Sequence, residues 1–191
     1  QWILQSNRHD DRWCAMNYKQ LQNLFWDITN DITGKNLKMP NKFIRFKYPQ
    51  DGMPDWKITD DIIFINLSEL NNDYAKQLDS KYIAENDTVM RYSARTRVWN
   101  VLFTIYGPNA YDIANQIKDG VFKQNIHDLL SKNSVFLIPN LPMITQANEL
   151  FAGKWWNRWD LVLNFNELYE LTPDDVGRIE NVSISLGINN R

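Results

Sequence analysis

Apolar positions recur at three- and four-residue spacing early in the chain. Leu21, Leu24, Phe25 and Ile28 fall on one stripe and predict a helix from Ala15 to Ile32. Gly34 follows and can supply a left-handed cap. Lys42 to Tyr48 suits a short strand, and Pro49, Gly52 and Pro54 then force a loop. Asp61 to Leu67 reads as a second strand. Its run Ile62 to Ile65 does not alternate, so both faces are expected to be covered. Residues 69–90 are polar and lack a clear period, which predicts a long excursion over the surface. Thr96 to Tyr106 is the strongest strand signal. Arg95, Arg97, Trp99, Val101, Phe103 and Ile105 share one face, and Thr96, Val98, Asn100, Leu102, Thr104 and Tyr106 the other. Gly107-Pro108 ends that strand and opens a second helix, with Ala110, Ile113, Ala114, Ile117 and Val121 as its buried stripe. Gly120 marks where this helix would break if it runs on to Leu130. Ser134 to Ile138 is a short strand. Arg158 to Tyr169 alternates cleanly, with Trp159, Leu161, Leu163 and Phe165 on one side. A last strand is expected at 182–188.

Runs of strands with few helices predict an α+β fold. The expected form is a mainly antiparallel sheet with two principal helices packed on one side and a long projecting strand or loop. A strand from Thr88 to Tyr106 would reach about 60 Å. A compact chain of this size has a radius of gyration near 16 Å. Such a strand would leave its own body, which is safe only when a neighbouring subunit pairs with it or covers it. The expected organisation is an N-terminal arm, 1–13, and a single domain, 14–191, with an insertion at about 69–90.

The chain has 191 residues, 43% hydrophobic and 23% charged, which excludes a disordered or low-complexity protein. The 21 basic and 23 acidic side chains nearly cancel, so a polyanion could be touched only through local patches. A single cysteine, Cys14, rules out an internal disulfide. No apolar run approaches the roughly 20 residues that cross a bilayer, and no signal peptide opens the sequence. The simplest expectation is a soluble cytosolic protein without membrane contact.

Catalytic motifs are missing: no nucleophile elbow, dinucleotide fingerprint, phosphate loop or zinc-protease motif is present. No catalytic, metal or cofactor site is expected. His9-Asp10-Asp11 reads as a solvated arm. Asp60-Asp61 and Asp174-Asp175 are paired carboxylates that could serve a metal-dependent nuclease, but Asp at turns usually bonds locally. The Asn-x-Ser/Thr triplets at Asn66, Asn86 and Asn181 fit chance in an Asn-rich chain.

Two clusters stand out. Trp155, Trp156, Arg158 and Trp159 place three indoles and a guanidinium in five residues. Such a group suits a protein interface; the alternative is a carbohydrate- or peptide-binding module. Arg91, Arg95 and Arg97 form a basic cluster at the start of the long strand.

The order of elements resembles the neck or tail terminator proteins of tailed bacteriophages, from about Tyr18 to Ile188. Three pieces carry the likeness. They are the opening helix with the strand and loop at Phe43–Pro54, the step Tyr106-Gly107-Pro108-Asn109-Ala110-Tyr111 into a helix, and the stretch from Trp155 to Tyr169 followed by Ile179–Ile184. The resemblance implies a non-enzymatic virion subunit without cofactors, assembled in the host cytoplasm. Its expected partners are copies of itself in a hexameric ring, the head connector and tail proteins, and DNA in transit. On that reading Arg91, Arg95 and Arg97 with 69–90 form one subunit patch. Trp155, Trp156 and Arg158 form part of another, and Asn164 and Asn166 face the lumen.

Overall fold

The structure, a computed structural model, describes residues 16–37, 43–48, 56–85 and 88–177. The arm at 1–13, Cys14, the loop around Pro49–Pro54 and the strand expected at 182–188 lie outside the described residues. Asn17 opens the first helix, α1 (Tyr18–Leu37). Its Oδ1 accepts from the Gln20 backbone N–H at 2.9 Å, and its own N–H donates to Gln20 Oε1 at 2.8 Å. This reciprocal box satisfies two helix-start donors. It sets the start at Tyr18, three residues later than periodicity suggested. Gly34 is internal to α1 and does not cap it.

Leu21, Leu24, Phe25, Ile28 and Ile32 bury their stripe against one face of the sheet. That sheet runs β1 (Ile44–Phe46), β2 (Ile62–Glu69), β4 (Thr88–Tyr106), β9 (Arg158–Glu170) and β5 (Val135–Leu137). The β2, β4, β9 and β5 pairs are antiparallel, and β1 is parallel to β2. Trp99, Val101, Phe103 and Ile105 from β4 meet Leu161, Leu163 and Phe165 from β9 in the core, as their alternation implied.

The second helical stretch is two helices, α2 (Ala110–Gly120) and α3 (Gln124–Lys132). The break falls where the sequence suggested. A Cβ on Gly120 would lie 2.5 Å from Ile32 Cγ2, so glycine lets α2 approach α1 closely. No helix among the described residues is long and apolar enough to cross a membrane.

The polar stretch at 69–90 is not a featureless excursion. After a single 3-10 turn, Asp73–Lys76, it forms β3 (Leu78–Glu85), paired antiparallel with the outer half of β4. β2 and β3 lie end to end along one edge of β4, while β9 and β10 (Asp174–Asp175) follow the other. The outer half of β4 is therefore the centre of a three-stranded arm. β4 is 19 residues long, about 60 Å from end to end.

The stretch before β9 also differs from expectation. β6 (Thr145–Gln146) pairs with β9, and β7 (Glu149–Phe151) with β8 (Lys154–Trp156) makes a separate hairpin. Ala152 and Gly153, at φ 49° and 72°, form its two-residue turn. β8 does not run on into β9. Asn157 interrupts it, donating its side-chain amide to Gly107 O at 2.8 Å.

Candidate functional site

The arm holds the arginine cluster, and its three arginines have three different fates. Arg91 forks onto Asp174, with Nε and Nη2 donating at 3.1 and 2.7 Å. That hydrogen bond, aided by the carboxylate charge, raises the Arg91 pKa. Arg95 is exposed and lies over the Tyr169 ring at 5.3 Å, with no carboxylate partner among the described residues. Arg97 turns inward. It donates through Nε and Nη2 to the buried Glu167 at 3.0 and 2.8 Å, and Nη2 reaches Met16 O at 3.2 Å. Trp99 Nε1 donates to the same carboxylate at 2.5 Å. Arg97 and Glu167 thus tie the start of α1 to the root of the arm.

Around these side chains the arm exposes apolar groups. Leu78, Tyr82, Leu171 and Val176 are 56%, 61%, 37% and 43% accessible. No helix covers the arm among the described residues.

The other cluster sits at the far end of the sheet, beside Tyr106. Its three indoles diverge. Trp155 is 67% exposed and lies opposite the equally bare Leu150 in the β7–β8 hairpin. Trp156 packs edge-on to Trp56 and Phe151 at 6.0 and 6.3 Å. Trp159 rests on Tyr111 at 4.8 Å. They form no common platform for a sugar ring. Arg158 holds the hairpin down: it forks onto Asp160 at 2.9 and 2.7 Å and pairs with Glu149. The Asp160 hydrogen bonds raise the Arg158 pKa above that of a free guanidinium.

Tyr106 donates to Glu149 at 2.9 Å. Burial first, and that hydrogen bond second, push its phenol up to about 12. The unfolded chain loses the proton near pH 10. Between pH 10 and 12 the unfolded state therefore binds fewer protons, and stability falls as pH rises. Below pH 10 the contribution is complete. Tyr106→Phe should flatten this alkaline decline in urea titrations; an unchanged slope would show that the phenol does not drive it.

The middle of the sheet face away from the helices carries a group of neutral amides set among apolar side chains such as Val98, Leu102 and Val162. Asn100 Nδ2 donates to Asn164 Oδ1 at 3.3 Å. Register places Ser68 beside Asn100, and Asn166 beside Val98 and Phe136. Asn164 and Asn166 are half-buried on this face.

The paired carboxylates are occupied locally. Asp61 accepts from the Asn109 backbone N–H at 2.9 Å and from its side-chain amide at 2.8 Å. Asp60 accepts from the Lys57 N–H at 3.0 Å, and Asp175 from the Gly177 N–H at 2.8 Å. Among the described residues no three His, Cys, Asp or Glu side chains are grouped to hold a metal. A groove of about 340 Å³ between α3 and β5 is lined by Phe122, Leu130, Phe136 and Pro139, with His127 at its side.

Sequence reasoning missed Glu167, Tyr82 and Leu150. Glu167 had a signal: it continues the core-facing parity of Leu161, Leu163 and Phe165, as Arg97 does that of Trp99. A search of curated proteins finds no match. The sequence profile described as phage neck terminator protein does match, over residues 19–190. That span takes in α1, the whole sheet, the arm and the aromatic hairpin, and the chain belongs to the phage neck terminator family.

Proposed function

We propose that copies of this chain close into a ring, expected to be hexameric, between the head connector and the tail, and that DNA passes through it. The coarser statement stands on the family: this is a structural protein of the phage neck, located in the virion. The arm carries the assembly reading. It extends past the core that the helices cover and leaves Leu78, Tyr82, Ile83, Leu171 and Val176 bare. Its strand edges and faces are safe when another subunit covers them.

Ring closure needs two different patches on each copy. The arm, with Arg91 and Arg95, supplies one. The hairpin end, with Trp155 outermost, supplies another. Arg97, Trp156 and Arg158 support these patches from behind, because their polar groups or rings are engaged within the chain. The asparagine face, with Asn164 and Asn166, is the candidate lumen wall. Neutral amides there suit a conduit, since a strongly basic wall would hold the polyanion.

Light scattering after size exclusion, over a concentration series, tests the proposal. The expected result is a discrete closed species near a hexamer of the 22.6 kDa chain. A continuous ladder of sizes, or a monomer in the presence of the connector and tail partners, would overturn it.

A further inference from the structure

The two faces of the arm differ in charge. Strand register assigns each side chain to a face, because directly paired residues project the same way. Leu78, Arg95 and Tyr169 form one row, and Tyr82, Arg91 and Asp174 another. They lie on the helix side of the sheet, and the Arg91–Asp174 pair is neutral. Arg95 is left as the unpaired charge, among Leu78, Tyr82 and other apolar groups.

The reverse face presents Asp79, Ala94 and Glu170 in one row. The next row on this face is Lys81 beside Tyr92, with the ammonium over the Tyr92 ring at 5.5 Å, and Asp175 follows beside Met90, opposite the exposed Ile83. Three carboxylates against this one ammonium leave the face acidic. Asp79, Glu170 and Asp175 have no cationic partner among the described residues. Ala94 is small, so the Asp79–Ala94–Glu170 row is a notch with a carboxylate on either side. Neighbouring strands are about 4.8 Å apart, which puts the two flanking positions about 10 Å from each other. A guanidinium entering over Ala94 would have a carboxylate on both sides.

We infer that the arm of one copy stacks its arginine face on the acidic face of the next copy's arm, with Arg95 entering the notch between Asp79 and Glu170. This rests on the ring reading and names the contact that closes it. The occupant is a second copy because one surface carries both halves of the charge match on opposite sides. That geometry is head-to-tail, and it makes a ring when the rotation from one copy to the next closes. Size agrees. An arm face about eight residues long and three strands wide covers roughly 26 by 14 Å. That is about half of the 800 Å² per partner in a stable pair. An isolated pair would be weak, while in a closed ring every copy makes the contact twice.

Charge reversal tests the stacking in the full chain. Arg95→Glu should weaken association at least tenfold, as should Asp79→Arg with Glu170→Arg, because each sets like charges face to face. Combining all three reversals should restore the closed species. All three positions lie at the surface, and far-UV circular dichroism of each variant should match the parent. A parent that assembles while Arg95→Glu leaves its size distribution unchanged would overturn the stacking and leave the ring intact. Failure of the triple reversal to recover assembly would also overturn it, provided its circular dichroism is native. A parent that never assembles would overturn the ring reading itself.

Discussion

Arg97→Ala is expected to lower the unfolding free energy by about 3–5 kcal/mol, the usual cost of stranding one member of a buried ion pair. Glu167 is 1% exposed and accepts three donors, two from Arg97 and one from Trp99. Without the guanidinium its carboxylate keeps one hydrogen bond and no counter-charge. The double variant Arg97→Met with Glu167→Gln should recover most of the loss. Methionine fills the volume of the arginine stem, and the glutamine amide still accepts from the Trp99 indole. Urea denaturation of the parent and the two variants measures both effects. A loss below about 1 kcal/mol in Arg97→Ala would mean that the pair behaves like a surface salt bridge.

Gly107→Ala should cost about 2–6 kcal/mol, the sum of two independent penalties. The first is conformational. Gly107 sits at φ +119°, where side-chain-bearing residues are strained. The second is steric. The new Cβ would lie 2.3 Å from Asp61 Oδ1 and 2.7 Å from Asp60 O. Asp61 is the acceptor that anchors Asn109 ahead of α2, so it can retreat only by giving up those bonds. Thermal unfolding should shift down, and amide exchange in the first turn of α2 should quicken. Adding Asp61→Ala to Gly107→Ala should not rescue stability, because the φ strain and the Asp60 carbonyl remain. Full rescue would show that the contact with the carboxylate was the whole effect.

What could be read from the sequence follows from burial. The helix stripes and the β4 and β9 parities were visible because one face of each is packed against a core, and selection for that packing leaves an apolar period. β3 left no such trace. Both of its faces are open, so Leu78, Ser80, Tyr82 and Ala84 alternate with Asp79, Lys81 and Ile83 without a hydrophobic rhythm. The start of α1 was missed because its signal is a polar pair, Asn17 and Gln20, and not a stripe. The aromatic segment was visible by composition. Its three-way split depends on Asn157 bonding across to Gly107, a contact fifty residues distant in sequence. The arginines were grouped by nearness in the chain, and they do share one face of β4, yet long-range partners, Asp174, Tyr169 and Glu167, gave them separate roles.

The unbroken run of β4 from the packed body into the arm has a mechanical consequence. Backbone hydrogen bonds to its neighbours lie across the strand axis. A pull on the arm along that axis loads these bonds in shear, together, over the length held by β2 and β9. A pull across the axis would peel them one at a time. The arm is therefore a stiff tie along its length and a weak one sideways. A ring strung on such ties would resist tension directed along the strands far better than a sideways wrench.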